Sequence, residues 1–466
     1  GPVKYVSTRG QAPVLGFGDV LLAGLATDGG LYVPEAWPAL AVDDLATWAD
    51  RSYQDIAVDV VAPFVEGDLG PDELAQLVAR AYAGFDHADV TPLRDLGAGL
   101  WLLELFHGPT LAFKDVALQL VGPLFERELA RREERITIIG ATSGDTGSAA
   151  IEATKDREGI EIVMLHPHGR VSEIQRLQMT TVASANVHNL AVDGTFDDCQ
   201  DLVKAMFADE ALREDLHLSA VNSMNWARLM AQVVYYVYAA SRLLGPATPA
   251  LSFSVPSGNF GNIFSGWVAR RMGVPIAQLL CASNRNDILT RFFATGVLEL
   301  GEVVPTISPS MDIQVSSNLE RLLFELHGRD AAATTELLHT FRSEGRAQLA
   351  ETRLAEVDEV FDAGAVDDDR TLGAIADWRD RAGILVDPHT AVGLVVGEAQ
   401  RRSPDLPLVC LATAHPAKFA DAVEAATGTT VALPPRLAAL SGMAERYEVV
   451  PNDLDAVRAR VRALTS

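Results

Sequence analysis

The sequence predicts an α/β fold with parallel-rich sheets, and three observations carry that expectation. From Leu100 onward, short apolar runs alternate with helix-length amphipathic stretches. Glycine-rich loops stand where several of those runs give way to a helix. The chain has 466 residues, enough for two or three domains at roughly 100–200 residues each. Alternating strand and helix patterns imply βαβ units built around parallel sheets.

The strand candidates are Leu100–Phe106, Ile136–Ile139, Ile160–Leu165, Val187–Val192, Leu251–Val255, Ile276–Cys281 and Leu408–Ala412. Residues 1–90 read as an N-terminal region with helices such as Pro71–Ala83. Residues 91–245 read as one α/β domain and 246–466 as a second. Within the second, 307–380 breaks the rhythm, is highly charged, and reads as a helical insertion. No internal repeat or low-complexity stretch interrupts the pattern.

Composition bounds the function. Apolar residues make up 48% and charged residues 22%, as in a soluble globular protein. The formal charge of −25 argues against nonspecific binding to nucleic acid or to an anionic membrane. It leaves phosphate ligands open, because a few backbone amides and one arginine hold a phosphate locally. No apolar run approaches the length of a membrane span. The opening Gly1-Pro2-Val3-Lys4 lacks a signal-peptide core, and Gly1-Pro2 reads as a tag-cleavage scar. The three cysteines, Cys199, Cys281 and Cys410, are far apart and form no metal-binding pair, so no metal and a reducing, cytoplasmic compartment are expected.

In open parallel sheets, ligands bind beyond the carboxyl ends of the strands. Three strand ends carry loops suited to that. Gly140-Ala141-Thr142-Ser143-Gly144-Asp145-Thr146-Gly147 combines small residues, hydroxyls and a helix start, which together favour an anion; a capped glycine turn explains it equally well. In Ser257-Gly258-Asn259-Phe260-Gly261-Asn262 two glycines enter a helix that stops near Gly273, and such a turn forms a nest of N–H groups. This is neither a Walker loop nor the dinucleotide fingerprint. Thr413-Ala414-His415-Pro416-Ala417-Lys418-Phe419 places a hydroxyl at a strand end, with His415 as a candidate base or a structural loop histidine.

Two further segments carry chemistry. Lys114 sits among apolar and small residues in Glu104-Leu105-Phe106-His107-Gly108-Pro109-Thr110-Leu111-Ala112-Phe113-Lys114-Asp115. Partial burial there disfavours the ammonium and exposes a nucleophilic amine; the alternative is a surface cation. Asn222, Asn225 and Arg228 recur at intervals that put them on one helical face. Arginine grips phosphate through parallel N–H bonds, although a capped helix start with a surface arginine has the same pattern.

Together these segments resemble the threonine synthase family of fold type II pyridoxal-phosphate enzymes. His107-Gly108-Pro109-Thr110 through Lys114-Asp115 is similar to the family's lysine segment, Thr142–Gly147 to its substrate loop, Ser257–Asn262 to its cofactor-phosphate loop and Thr413–Phe419 to its C-terminal cofactor loop. Asn222, Ser223 and Arg228 match as well, and Gly29-Gly30-Leu31-Tyr32-Val33-Pro34 fits the opening segment. The motifs run in family order from 29 to 419, and the length points to the longer subgroup.

The resemblance implies that two α/β domains close around pyridoxal 5'-phosphate held covalently by Lys114. It implies that Gly258, Asn259, Phe260, Gly261 and Asn262 bind the cofactor phosphate and that Thr413 bonds the pyridine nitrogen. It places Ser143, Asp145 and Thr146 around the substrate carboxylate and the cofactor ring. Related enzymes often have Asn where Asp145 stands, so contact with the cofactor's phenolic oxygen is the better use for a carboxylate there. Asn222, Ser223 and Arg228 fall to the phosphate of O-phospho-L-homoserine, which is converted with water to threonine and phosphate. A lyase that degrades the same substrate to 2-oxobutyrate, and a non-catalytic pyridoxal-phosphate-binding regulator, are the alternatives. A monomer is expected, with a dimer possible.

Overall fold

The computed structural model describes residues 1–466. Every strand expected from an apolar run forms. Those runs are continuous rather than alternating because helices cover both faces of a parallel sheet. Leu251–Pro256 and Leu408–Ala412, for instance, are buried at every position.

The larger sheet has six strands in the order Phe361–Ala365, Ile276–Ser283, Leu251–Pro256, Leu408–Ala412, Leu100–Glu104 and Leu93–Gly97. Its pairs are parallel except the last, a hairpin turned through Ala98 and Gly99, both at positive φ. The smaller sheet has five parallel strands in the order Glu448–Pro451, Val187–Asp193, Ile160–Pro167, Ile136–Ala141 and Leu218–Ser219. Two short antiparallel pairs, Tyr5–Ser7 with Tyr32–Pro34 and Val297–Glu299 with Arg346–Gln348, stand apart.

The division expected by chain order, 91–245 and 246–466, does not coincide with these sheets. Leu100–Glu104, just ahead of the lysine, pairs with Leu408–Ala412, and Glu448–Pro451 pairs with Val187–Asp193. A parallel pair is joined by a long crossover, so paired strands can lie far apart in the chain. The stretch 307–380 supplies helices Leu319–Leu326, Ala331–Glu344, Glu351–Val360 and Asp368–Ala382, as expected of a helical segment. It also gives the larger sheet its edge strand Phe361–Ala365, so it is woven into the fold rather than set beside it.

Helix Trp226–Leu243 carries the chain back from the smaller sheet to the larger one and is buried from Trp226 to Ser241. It packs on helices Tyr53–Val61, Lys114–Arg132 and Gly261–Arg271. The N-terminal helices therefore share one core with the helices that begin at the site. No helix is long and apolar enough to cross a membrane.

Candidate active site

The lysine loop is fixed by main-chain bonds to the strand end beside it. Leu105 N–H donates to Ala412 O (3.0 Å), Phe113 N–H to Thr413 O (2.8 Å) and His415 N–H to Leu111 O (3.0 Å). Asp115, fully buried, accepts from the amide and hydroxyl of Thr110 (2.8 and 2.7 Å), which folds the loop back on the helix start. Burial pushes the Asp115 carboxyl up to about 6 against those donors.

Lys114 opens helix Lys114–Arg132 and reaches toward the smaller sheet, where Nζ donates to Thr146 Oγ1 (3.0 Å). Burial depresses its amine to about 8; Arg228 and Lys418 push the same way, while Asp145 and Asp115 oppose. The neutral, nucleophilic form therefore predominates from about pH 8 upward rather than from the usual range near 10.5. In cofactor-free protein, the rate at which Lys114 is acylated should rise with a midpoint near pH 8, read by peptide mass mapping. A midpoint above 10 would mean that the crevice leaves the amine unperturbed.

Across the crevice, strand Ile136–Ala141 ends in a turn built by Thr142, a residue without an assigned role in the sequence reading. Its Oγ1 accepts from Gly144 N–H and Gly147 N–H (2.9 Å each). Gly144 has φ +146°, and a Cβ there would lie 2.4 Å from Gln175 Cδ. The amides of Asp145 and Thr146, which open helix Asp145–Thr154, find no acceptor in the protein, so they are free for an anion. Ser143 is exposed at the tip. Asp145 turns its Oδ1 to Lys418 Nζ (2.7 Å) and Gln175 Nε2 (3.1 Å). Although burial raises its carboxyl, the Lys418 and Lys114 ammoniums outweigh that and hold it well below the usual carboxylate range.

Strand Leu251–Pro256 delivers the second glycine turn. Phe260 adopts φ +68° and packs its ring against Phe293 and Phe361, so its main chain alone faces the crevice. Carbonyls of the turn point away: Gly258 O accepts from Ser316 Oγ (2.7 Å) and Asn259 O from Asn318 N–H (2.9 Å). The amides from Gly258 to Asn262 have no protein acceptor. Asn262 Oδ1 accepts from Tyr235 and Tyr236 hydroxyls (2.5 and 2.9 Å), which leaves its buried Nδ2 without a partner. An orphaned amide beside a nest of N–H groups fits the phosphate of pyridoxal phosphate. A Cβ at Gly258 would lie 2.6 Å from Ser310 O. Gly258→Ala must therefore displace the turn, and cofactor affinity should fall about tenfold or more, an overpacking cost of ~1–3 kcal/mol. Equilibrium dialysis of the cofactor checks this; wild-type affinity would mean the turn is not the cradle.

The Asn222–Arg228 cluster differs from the expected single helical face. The helix begins at Trp226, so Asn222 lies in the turn before it and accepts from Met224 N–H (2.9 Å). Asn225 caps the helix through Ala227 N–H (3.1 Å) and turns its amide to Leu21 O (2.9 Å). Ser223 O accepts from Asn318 Nδ2 (2.9 Å), so Asn318 ties this turn to the 258–261 turn.

Arg228 is 5% exposed, with no ion-pair partner and no side-chain hydrogen bond. Burial alone pulls its guanidinium down to about 10. Arg321 shows the contrast: equally buried, it donates to Tyr32 O, Met224 O and Asn318 Oδ1 and serves as a strut.

Thr413 is buried at the end of Leu408–Ala412, beside the lysine loop. His415 is a cap: its Nδ1 accepts from Ala417 N–H (3.0 Å), its ring meets Phe106 edge-on, and burial lowers its pKa. Lys418 was visible in the sequence without a role. Its long-range partners, Thr110, Gln178 and Asp145, give no local signal.

One half-buried lysine and two glycine turns at strand ends, in a chain with two α/β sheets, define a pyridoxal-phosphate-dependent enzyme of fold type II, and the family model described as pyridoxal-phosphate dependent enzyme matches residues 85–413. The chain belongs to the threonine synthase family: models for the threonine synthase N terminus and C-terminal region match residues 4–82 and 390–461. It is 51% identical to threonine synthase of Pseudomonas aeruginosa over 98% of both chains. Among solved structures, the pyridoxal-phosphate-bound threonine synthase of Brucella melitensis is 49% identical, with a TM-score of 0.97 over 99% of both chains. The yeast threonine synthase is 38% identical, with a TM-score of 0.95 over 99% of this chain and 98% of that one.

Proposed function

We propose that this protein converts O-phospho-L-homoserine and water to L-threonine and phosphate, with Lys114 at the centre of the reaction. The observation that carries the reading is Arg228, a buried guanidinium with no acceptor in the protein, near an amine of lowered pKa and in a helix whose preceding turn, at Ser223, is tied through Asn318 to a separate phosphate cradle. A cofactor phosphate uses one site, and a substrate that brings its own phosphate needs the other.

Bound pyridoxal phosphate supplies an electron sink for the pair left when the substrate α-proton departs. The chain's residues do the rest. Amides of Gly258, Asn259, Phe260, Gly261 and Asn262 grip the cofactor phosphate. The Thr413 hydroxyl would bond the pyridine nitrogen and, being neutral, would not hold a proton there as an aspartate would. The amides and hydroxyls of Ser143 and Thr146 receive the substrate carboxylate, and Asp145 would lie toward the cofactor's phenolic oxygen. Asn222, Ser223 and Arg228 hold the substrate phosphate and keep it after it leaves Cγ.

Lys114, neutral near pH 8 and free to swing from its bond with Thr146, takes the α-proton and moves protons along the carbon chain. The substrate gives up a β-proton as phosphate leaves Cγ, is protonated at Cγ, and then gains the hydroxyl of water at Cβ and a proton back at Cα. The enzyme is further read as cytoplasmic, its three cysteines being unpaired and buried, and as a monomer, with a dimer as the alternative.

The test is incubation of purified protein with O-phosphohomoserine, reading threonine and inorganic phosphate together. Equal yields are expected. Phosphate with 2-oxobutyrate and no threonine would make it the degradative lyase, and no phosphate release would make it a binding protein.

A further inference from the structure

Asp145 poses a problem of charge. It stands at the first turn of the helix assigned to the substrate carboxylate, where an unbalanced carboxylate repels the ligand and draws a proton onto Lys114. The fold answers with a second lysine. Lys418, from the short helical turn Pro416–Phe419, has a side chain with 0% exposure and sits 2.7 Å from Asp145 Oδ1. Its other bonds go to Thr110 O and Gln178 Oε1, both at 2.9 Å. An ammonium has three donors and all three are used, so Lys418 has none left for a ligand. Gln178 in turn donates to Thr110 O (3.1 Å), which closes the ring around the lysine loop.

We propose that Lys418 is the standing counter-cation of Asp145, a positioning residue whose charge, not a contact with substrate, keeps the crevice open to a carboxylate and Lys114 free of an excess proton. The proposal rests on the reading of Lys114 and of the 143–146 turn given above. The charged groups that face Lys114 are Asp145, Arg228, Lys418 and Asp115. With Lys418 paired to Asp145, the two charges offset each other, and burial with Arg228 lowers the pKa of the amine. Without Lys418 the remaining carboxylate favours positive charge on the lysine nitrogen.

The test is a charge-balance cycle in the holoenzyme: Lys418→Met, Asp145→Asn and the double variant. Two quantities are read, the pH midpoint of the bound cofactor's absorbance change and the KM for O-phosphohomoserine. Lys418→Met should move the midpoint up by about one pH unit, the low end of the shift an opposite charge causes, and raise KM about tenfold. Asp145→Asn should move the midpoint down, because Lys418 then stands alone. The double variant, neutral at both positions, should return the midpoint toward wild type and lower KM relative to Lys418→Met.

Shifts in the same direction for both single variants, or a double variant no nearer wild type than Lys418→Met, would reduce Lys418 to a packing strut. If Lys418→Met does not fold, the downward shift in Asp145→Asn and its reversal in the double variant decide the matter. A wild-type enzyme that releases no threonine would defeat the functional reading alone, since the absorbance midpoints require only bound cofactor.

Discussion

Lys114→Ala should abolish threonine formation, with turnover falling at least about 10³-fold, within the range for loss of a positioned proton-transfer group. The structure gives no substitute at that position. Lys418 is buried with all its donors engaged, and Arg228, though free, titrates too high to act as a base near neutrality. Borohydride treatment followed by peptide mapping should mark the 105–115 segment in the wild type and leave it unmarked in the variant. Because Lys114 Nζ has one hydrogen bond, to Thr146, truncation removes an amine without dismantling a network, so the variant should fold and bind cofactor phosphate. Small primary amines added in solution should then restore part of the rate. Undiminished turnover would remove Lys114 from the reaction.

The elements legible in the sequence are those whose signal is local. The strands buried on both faces stood out because their residues are apolar at nearly every position, as in Leu251–Pro256. The strands that escaped are edges or short pieces. Leu93–Gly97 is largely exposed and carries Arg94 and Asp95, Phe361–Ala365 is mostly small residues, and Leu218–Ser219 is two residues long. Pairing was invisible for a different reason: nothing near Leu100–Glu104 says that its partner lies three hundred residues on.

The site divides in the same way. Lys114, the 143–146 turn and the 258–262 turn announce themselves by composition and by resemblance. The residues that brace them do not, because Asn318, Ser316 and Lys418 act through bonds to distant main chain that no spacing rule predicts. Asn225 shows the limit of spacing alone: its interval fitted a shared helical face and a capped helix start alike, and the structure makes it the cap.

Arg228 yields the sharpest separation of function from stability. A guanidinium taken out of water without a partner costs folding free energy, and here burial alone depresses its pKa to about 10. The sign follows from that direction. A cation whose folded pKa lies below its unfolded one is penalised wherever it is charged, so the cost acts in full below about pH 10, the neutral range included. Arg228→Met removes the cost and keeps the packing volume. Its melting temperature without phosphate should equal or exceed that of the wild type, a direction opposite to most buried substitutions.

Binding should move the other way. Losing two charge-assisted hydrogen bonds to a phosphate, at ~1.5–3 kcal/mol each, predicts a fall in kcat/KM of about 10²-fold or more, carried mainly by KM. Inorganic phosphate should raise the melting temperature of the wild type through both anion sites, and part of that rise should vanish in the variant. Cofactor affinity should hold, because the 258–262 turn receives no bond from Arg228. A destabilised variant with an unchanged KM would place Arg228 with Arg321 among the struts, and the second phosphate site would have to be sought elsewhere.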